Sequence, residues 1–435
     1  MEEVDIERVL QQVDAMRDEI IGLEQVLVRF DSVNQPPWGN EGPCQAFVAG
    51  HMQEMGLQVD CFTPDEVPDI REDPAWLQGR DYRERPNVVG TRKGVGGGPS
   101  LQLSAHADVV PIDKPAEWTV EPFGAEIIGG KIYGRGSLDD KDGIVGMLAA
   151  LQAIERSGYR LRGDLILTSY VDEEFAGGNG LLAVVRRGHL GDAAINCDGR
   201  GFRLWLANTG GGPFRILIQG RAESTHPTPS MRKVQSACLE ALAELSQRWM
   251  AYWDHPLYPK GTPWITKDEP IETHCWEEGL GEWDWRTYGL SCGVSGYATT
   301  LPGQDRAQAK AQIVATVEDA YASCQCPDVH PPHVEWTYRF MDASEVSPDE
   351  PIVGKLGWAY TRATGKPAEA IGGVRSDLYM LALHGRVPAV SFGVDTVLSG
   401  RGGAHEPDEC IDIDSELIPY VKTLALAMME WCGYQ

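Results

Sequence analysis

The sequence contains ten cysteines but no C-x-x-C pair and no regular cysteine framework. That excludes a disulfide-stapled scaffold, and Cys324-Gln-Cys326 is too closely spaced for a zinc knuckle. No apolar run approaches the length of a membrane span. A secretory leader, basic and then apolar, is also missing: MEEVDIERVLQQVDAMRDEI reads as an acidic amphipathic helix. Internal repeats and low-complexity segments are absent. Basic residues are scarce, with 38 Lys and Arg against 64 Asp and Glu and a net charge of −26. Such a surface disfavours nucleic acid and anionic membranes as partners. The reading is a cytoplasmic protein whose partner is a small molecule.

At 435 residues the chain exceeds one compact core. Apolar positions at helical spacing run over 5–29, and a second helix follows Gly42-Pro43. Segment 65–88 is polar and rich in Pro, Asp and Arg, and reads as a loop. Strands NVVGTR, SLQLSAHADVV, DLILTSYV and AAINCD then alternate with helices over 144–158 and 178–187. Alternation of this kind predicts an α/β layered sheet. After Asp198 the order becomes strand, strand, helix 231–253, strand, helix 305–322, strand, which predicts a smaller α+β domain with ferredoxin-like character. The βα style resumes near residue 343. The expected organisation is a mixed-sheet domain over 1–204 and 343–435, with the smaller domain inserted at 205–342.

Charged residues recur where strands of the larger domain end. One strand ends at His106-Ala107-Asp108, another runs into Asp172-Glu173-Glu174, and a third into Asp198; GRGSLDDKDG offers Asp139 and Asp140 at a helix start. Functional groups collect beyond the carboxyl ends of strands in open α/β sheets. Uncompensated, these anions would repel one another, and a divalent cation resolves the conflict. Imidazole with carboxylates suits zinc, manganese or cobalt. One histidine is few for such a cluster; His189, His226, His384 and His405 are candidates for a second. Asp140 also reads as a solvated helix-start acid, Asp172 as a turn cap, and His226, before Pro227, as a surface turn residue.

The motifs HADVVP (106–111), Trp118 with Pro122-Phe123, GRGSLDDK (134–141), DEE (172–174), Asp198, GRAESTHPTPS (220–230), the glycine pair near 372 and His405 occur in one order. Together they resemble the acetylornithine deacetylase, succinyl-diaminopimelate desuccinylase and aminoacylase type of dinuclear metallohydrolase, over nearly the whole chain. The resemblance implies that Asp139 bridges two metal ions, with His106 and Asp198 completing one site and Glu174 and His405 the other. It implies that Asp108 sits behind His106 and fixes its tautomer, and that Glu173 is the general base. His226 would donate to the oxyanion from across a homodimer interface, and the inserted domain would be the dimerisation or lid domain. One or two zinc, manganese or cobalt ions per subunit are expected, with a homodimer or higher homo-oligomer.

Two departures bear on substrate. The family's acidic residue and arginine before Pro-Gly are missing from GVSGYATTLPGQD, and its GG-T-D-x-R appears as GGVRSDLYM. Arg375, with Gly373, is therefore a candidate substrate contact, or else Arg375 is one side of a structural ion pair. Trp249, Trp253, Trp264, Trp276, Trp283 and Trp285 crowd the 249–285 insertion, as a dimer face or an aromatic pocket. The expected activity is hydrolysis of an amide C–N bond in an N-acyl amino acid or dipeptide-like molecule. Deamination or amidine cleavage of an aromatic or heterocyclic compound is the second reading. A catalytically silent binding protein on the same scaffold is the third, and Glu173 counts against it because metal binding alone does not need it.

Overall fold

The computed structural model describes residues 1–175, 177–221, 227–253, 257, 270–277, 291–394 and 400–435. The chain folds into two compact units. The first comprises Met1–Leu206, Glu345–Ile371 and Ser376–Gln435, and the second Ala207–Ser344 with Gly372–Arg375.

A nine-stranded mixed sheet runs through the first unit. Its middle is parallel: Ala389–Ser391 pairs with Ala193–Asn196, which pairs with Leu101–His106, which pairs with Leu165–Tyr170. Asn87–Arg92 and Gln58–Phe62 extend one side antiparallel. Every residue of Leu101–His106, Leu165–Tyr170 and Ala193–Asn196 is buried, as expected for parallel strands covered on both faces. That explains their continuous apolar runs, and it makes a polar residue at their ends informative. Register fixes His106 opposite Tyr170.

Helix Lys141–Arg156 is buried along most of its length and packs with the terminal helix Ile418–Cys432. The approach is close: a Cβ on Gly146 would lie 2.8 Å from the Tyr420 ring. The N-terminal segment forms two helices, Glu3–Ala15 and Arg17–Val28, rather than the single one expected from its periodicity. Segment 65–88 carries only short 3₁₀ turns before strand Asn87–Arg92 begins, yet Tyr82 and Arg85 in it are 1% exposed. It is a loop by backbone and core by side chain.

The second unit has a four-stranded antiparallel sheet in the order Ile271–Glu277, Ser291–Thr300, Gly210–Gln219, His333–Trp336. Helices Pro229–Trp249 and Arg306–Cys324 bury Met231, Val234, Leu242, Ile313 and Val317 in a core with Phe214, Ile216 and Val294. Strand Ile271–Glu277 lies inside the Trp-rich insertion and was not anticipated. It completes the β-α-β-β-α-β order of a ferredoxin-like unit. The fold class expected from the sequence holds. Eight of the ten cysteines are buried, and no disulfide forms among the described residues. Among those residues no helix is long and apolar enough to cross a membrane.

Candidate metal centre

The parallel strands deliver their carboxyl ends to one edge of the sheet, and the charged groups follow. His106 is the last residue of Leu101–His106; Glu173 and Glu174 come just after Leu165–Tyr170; Asp198 comes just after Ala193–Asn196. Asp139 and Asp140 precede helix Lys141–Arg156, and His405 lies in the turn before Cys410–Asp412.

One oxygen of Asp139, Oδ1, is 3.0 Å from His106 Nε2, and its other oxygen, Oδ2, is 3.0 Å from His405 Nε2. His405 Nε2 is also 2.8 Å from Glu174 Oε2. Ligand atoms of His106, Asp139 and Asp198 lie within 4.8 Å of one another, as do those of Asp139, Glu174 and His405. Asp139 is common to both groups. Imidazole and carboxylate atoms this close match ligands at the ~2.0–2.2 Å bond lengths of a zinc-like ion.

The electrostatics agree. Burial pushes the Asp198 carboxyl up to about 7, helped by the Asp139 charge. Burial also raises Glu173 well above the carboxylate range, with Asp198 and Asp377 adding to it, and it raises Asp140. Burial works against the Asp139 charge as well, but hydrogen bonds from His106 and His405 outweigh it and hold that carboxyl well below its usual value. The negative charge of Glu174, more than any other neighbour, lifts His405 to about 11. Burial opposes a charged His106, yet the Asp139 hydrogen bond and the Asp108, Asp139 and Asp140 charges raise it well above the ordinary value. Buried carboxylates that resist ionising together, drawn around two imidazoles, fit divalent cations.

Asp108 sits behind the His106 ring and has a second task as well. His106 Nδ1 donates to the backbone carbonyl of Asp108 at 2.9 Å, leaving Nε2 free to ligate, whereas the carboxylate is 3.6 Å away. That carboxylate instead accepts the N–H groups of Glu173 and Glu174, each at 3.1 Å. Asp140 is no solvated acid: it is 2% exposed and accepts the His106 N–H at 3.2 Å. Asp172, read as a turn cap, is wholly buried. Among the other histidines considered, His189 pairs with Asp60 at 2.8 Å and His384 packs on Tyr379. His226 lies outside the described residues.

Two features escaped sequence reading. Glu409 and Arg135 form a buried pair; Glu409 Oε1 accepts the N–H groups of Gly136 and Leu138, and Arg135 donates to the His405 carbonyl at 3.1 Å. The pair thereby fixes both the Asp139 loop and the His405 turn. Arg200 places Nη2 3.6 Å from Asp139 Oδ2; its position two residues after Asp198 was an available signal.

In the second unit, Gly373 is buried with φ +111°, a value that favours glycine. Arg375 donates to Thr299 Oγ1 at 3.0 Å and lies over the Tyr297 ring at 4.3 Å. Among the described residues its partners are a hydroxyl and a ring, not a carboxylate.

A mixed parallel sheet presenting two carboxylate–imidazole groups that share one aspartate defines the class of a two-site metallohydrolase. The chain belongs to peptidase family M20/M25/M40, whose model matches residues 102–430. It is 27% identical over 460 aligned positions to the N-formyl-4-amino-5-aminomethyl-2-methylpyrimidine deformylase of Halalkalibacterium halodurans, covering 98% of this chain and 97% of that one. Human carnosine dipeptidase 1 shares the fold with a TM-score of 0.70 at 15% identity, over 98% of this chain and 99% of its own. The Bacillus subtilis YXEP protein, a dinuclear metal-binding peptidase from the M20 family, superposes with a TM-score of 0.57 at 15% identity, over 96% of this chain and 99% of its own. The family suggested by the motifs is the family matched, and the protein is a metal-dependent hydrolase acting on carbon–nitrogen bonds.

Proposed function

We propose that the protein removes an acyl group from nitrogen in a small molecule, cleaving an amide C–N bond with water. The observation that carries this reading is Asp139, placed between His106 and His405 with Glu173 on the adjoining turn. His106 and Asp198 would hold one ion, Glu174 and His405 a second, with Asp139 common to both. Zinc, manganese and cobalt all suit this donor set. When bound, such ions supply Lewis acidity, lowering the pKa of water and polarising a carbonyl.

The chain's own residues do the rest. Glu173 is the general base: it takes the proton from the attacking water and returns it to the leaving nitrogen. Asp108 fixes the backbone on which Glu173 and Glu174 sit. His226 donates a hydrogen bond to the oxyanion. Arg375 and Gly373 contact the substrate, with the guanidinium pre-oriented by Tyr297 and Thr299. The second unit serves as dimerisation or lid domain in a cytoplasmic homodimer.

The full-length likeness to a deformylase of an aminopyrimidine favours a heterocyclic or aromatic amine as the leaving group. The missing arginine in GVSGYATTLPGQD points the same way, away from ordinary acyl amino acids. The test is a hydrolysis panel with manganese, zinc or cobalt. It sets N-formyl and N-acyl heterocyclic amines against N-acyl amino acids and dipeptides, with Glu173→Gln as control. Amide cleavage by the wild type, lost by at least about a thousandfold in Glu173→Gln with metal retained, is the expected result. A panel member deaminated rather than deacylated would displace this reading, and turnover by Glu173→Gln at the wild-type rate would remove the base assignment.

A further inference from the structure

Asp172 begins the DEE turn, yet neither metal group includes it. It is fully buried and adopts φ +67°, a left-handed conformation that costs an L-residue free energy. A charge and a strained backbone in the core need something that fixes them. Tyr82 Oη donates to Asp172 Oδ2 at 2.5 Å, and Asn34 Nδ2 donates to Oδ1 at 3.1 Å. Arg80 Nε and Arg85 Nη2 stand 3.6 and 3.8 Å from Oδ1 and balance its charge.

The same partners reach both sides of the turn. Asn34 Nδ2 also donates to Asp108 Oδ2 at 2.8 Å, and its own carbonyl accepts from Arg85 at 3.2 Å. Asp108 in turn receives the N–H groups of Glu173 and Glu174. Arg80 Nη2 donates to the Phe175 carbonyl at 2.6 Å, and the Asn87 side chain accepts the Val171 N–H at 3.1 Å. Each residue from Val171 to Phe175 is thus tied down. The ties come from Asp108, Asn34, the irregular segment 80–86 and Asn87 at the start of strand Asn87–Arg92. Arg85 is itself anchored on Glu41, with contacts of 2.6 and 2.7 Å.

We propose that Tyr82 and Asn34 are positioning residues for the reaction. By holding Asp172 on one side and Asp108 on the other, they set the backbone from which Glu173 reaches the proton it moves. The inference rests on Glu173 being the general base. It assigns a catalytic purpose to a polar segment whose hydrogen bonds to the turn go, among the described residues, to Asp172, Phe175 and Val171. It also gives Asp172 a role: the buried anchor of the base-bearing turn.

The test uses the metal-loaded full chain with Tyr82→Phe, which deletes one hydroxyl and keeps the ring packed on Trp76. Asn34→Ala is the second variant. Hydrogen–deuterium exchange of the peptide spanning 171–178 is expected to quicken in both variants, with exchange elsewhere and metal content unchanged. On whichever amide of the panel the wild type cleaves, kcat is expected to fall roughly tenfold to a hundredfold while KM stays within about threefold. Unaltered exchange over 171–178 overturns the proposal, as does a kcat loss that merely follows a drop in Tm and faster exchange throughout. Glu173→Gln, run in parallel, separates the two levels. Full turnover by that variant defeats the base assignment. An inactive Glu173→Gln beside a fully active Tyr82→Phe defeats the positioning role alone.

Discussion

His405 Nε2 lies 2.8 Å from Glu174 Oε2, joining the turn after strand Leu165–Tyr170 to a turn near the chain's other end. Only one of these side chains is well covered: that of Glu174 is 2% exposed and that of His405 44%. The ion held by this pair should therefore be the more exchangeable of two. His405→Ala is expected to lower bound metal from about two to about one per chain, with the fold intact. His106→Ala, removing a wholly buried ligand, is expected to lower both metal content and Tm. Elemental analysis after dialysis, alongside thermal melts, checks both.

Arg375 offers a planar cation held by a ring and a hydroxyl. Arg375→Ala should raise KM for substrates carrying an anionic group by roughly tenfold to a hundredfold and leave kcat within a few-fold. Arg375→Lys should recover little, because an ammonium neither stacks nor hydrogen-bonds in the same plane. Steady-state kinetics on paired anionic and neutral amides decide this; equal effects on both remove Arg375 from substrate recognition.

Glu24 is wholly buried, and neither carboxyl oxygen has a hydrogen-bond partner among the described residues. Burial pushes its pKa up to about 8, although Lys141 pulls the other way. With the folded value above the unfolded one, near 4.5, the folded state keeps a proton that the unfolded chain gives up. That contribution is fully present below pH 4.5 and is lost as pH rises through about 8. Glu24→Gln should remove this dependence and gain a few kcal/mol relative to wild type, about 2–4, at pH 9. Urea titrations at pH 5 and 9 measure it; equal differences at both values would contradict the buried neutral acid.

Gly180 opens helix Asn179–Arg186 against the strand end that precedes Asp172. A Cβ there would sit 1.9 Å from the Val171 carbonyl oxygen. Gly180→Ala should cost about 2–3 kcal/mol and displace the base-bearing turn, so turnover per folded molecule falls as well. A melt with an unchanged midpoint would show that the close approach is not needed.

Much of the metal group was legible because each side chain stands beside a strong local signal. His106, the Glu173-Glu174 pair and Asp198 each come directly off a continuous apolar run. Asp139 opens a glycine-flanked helix. A charge at the end of a buried strand is costly enough to stand out in one dimension. Asn34, Tyr82 and Arg85 carry no such mark: they lie in irregular backbone, where polarity reads as exposure. Strand Ile271–Glu277 was hidden for a related reason, since its own Trp276 reads as part of a Trp-rich insertion rather than of a sheet.

By itself the sequence determined the kinds of donor, their placement at strand ends, and the two-part α/β and α+β organisation. Periodicity and charge act locally along a chain, and those features are local. Tertiary structure alone decided that Glu409 and Arg135 clamp two loops at once, whereas the pairing of His405 with Glu174 was implied by the family resemblance and by no local pattern. It also decided that the Asp108 carboxylate holds the backbone of Glu173 while the Asp108 carbonyl holds the ring of His106. Most of those contacts join residues far apart in sequence. Their physical cause is shared burial, where every charge must find a partner that no local pattern names.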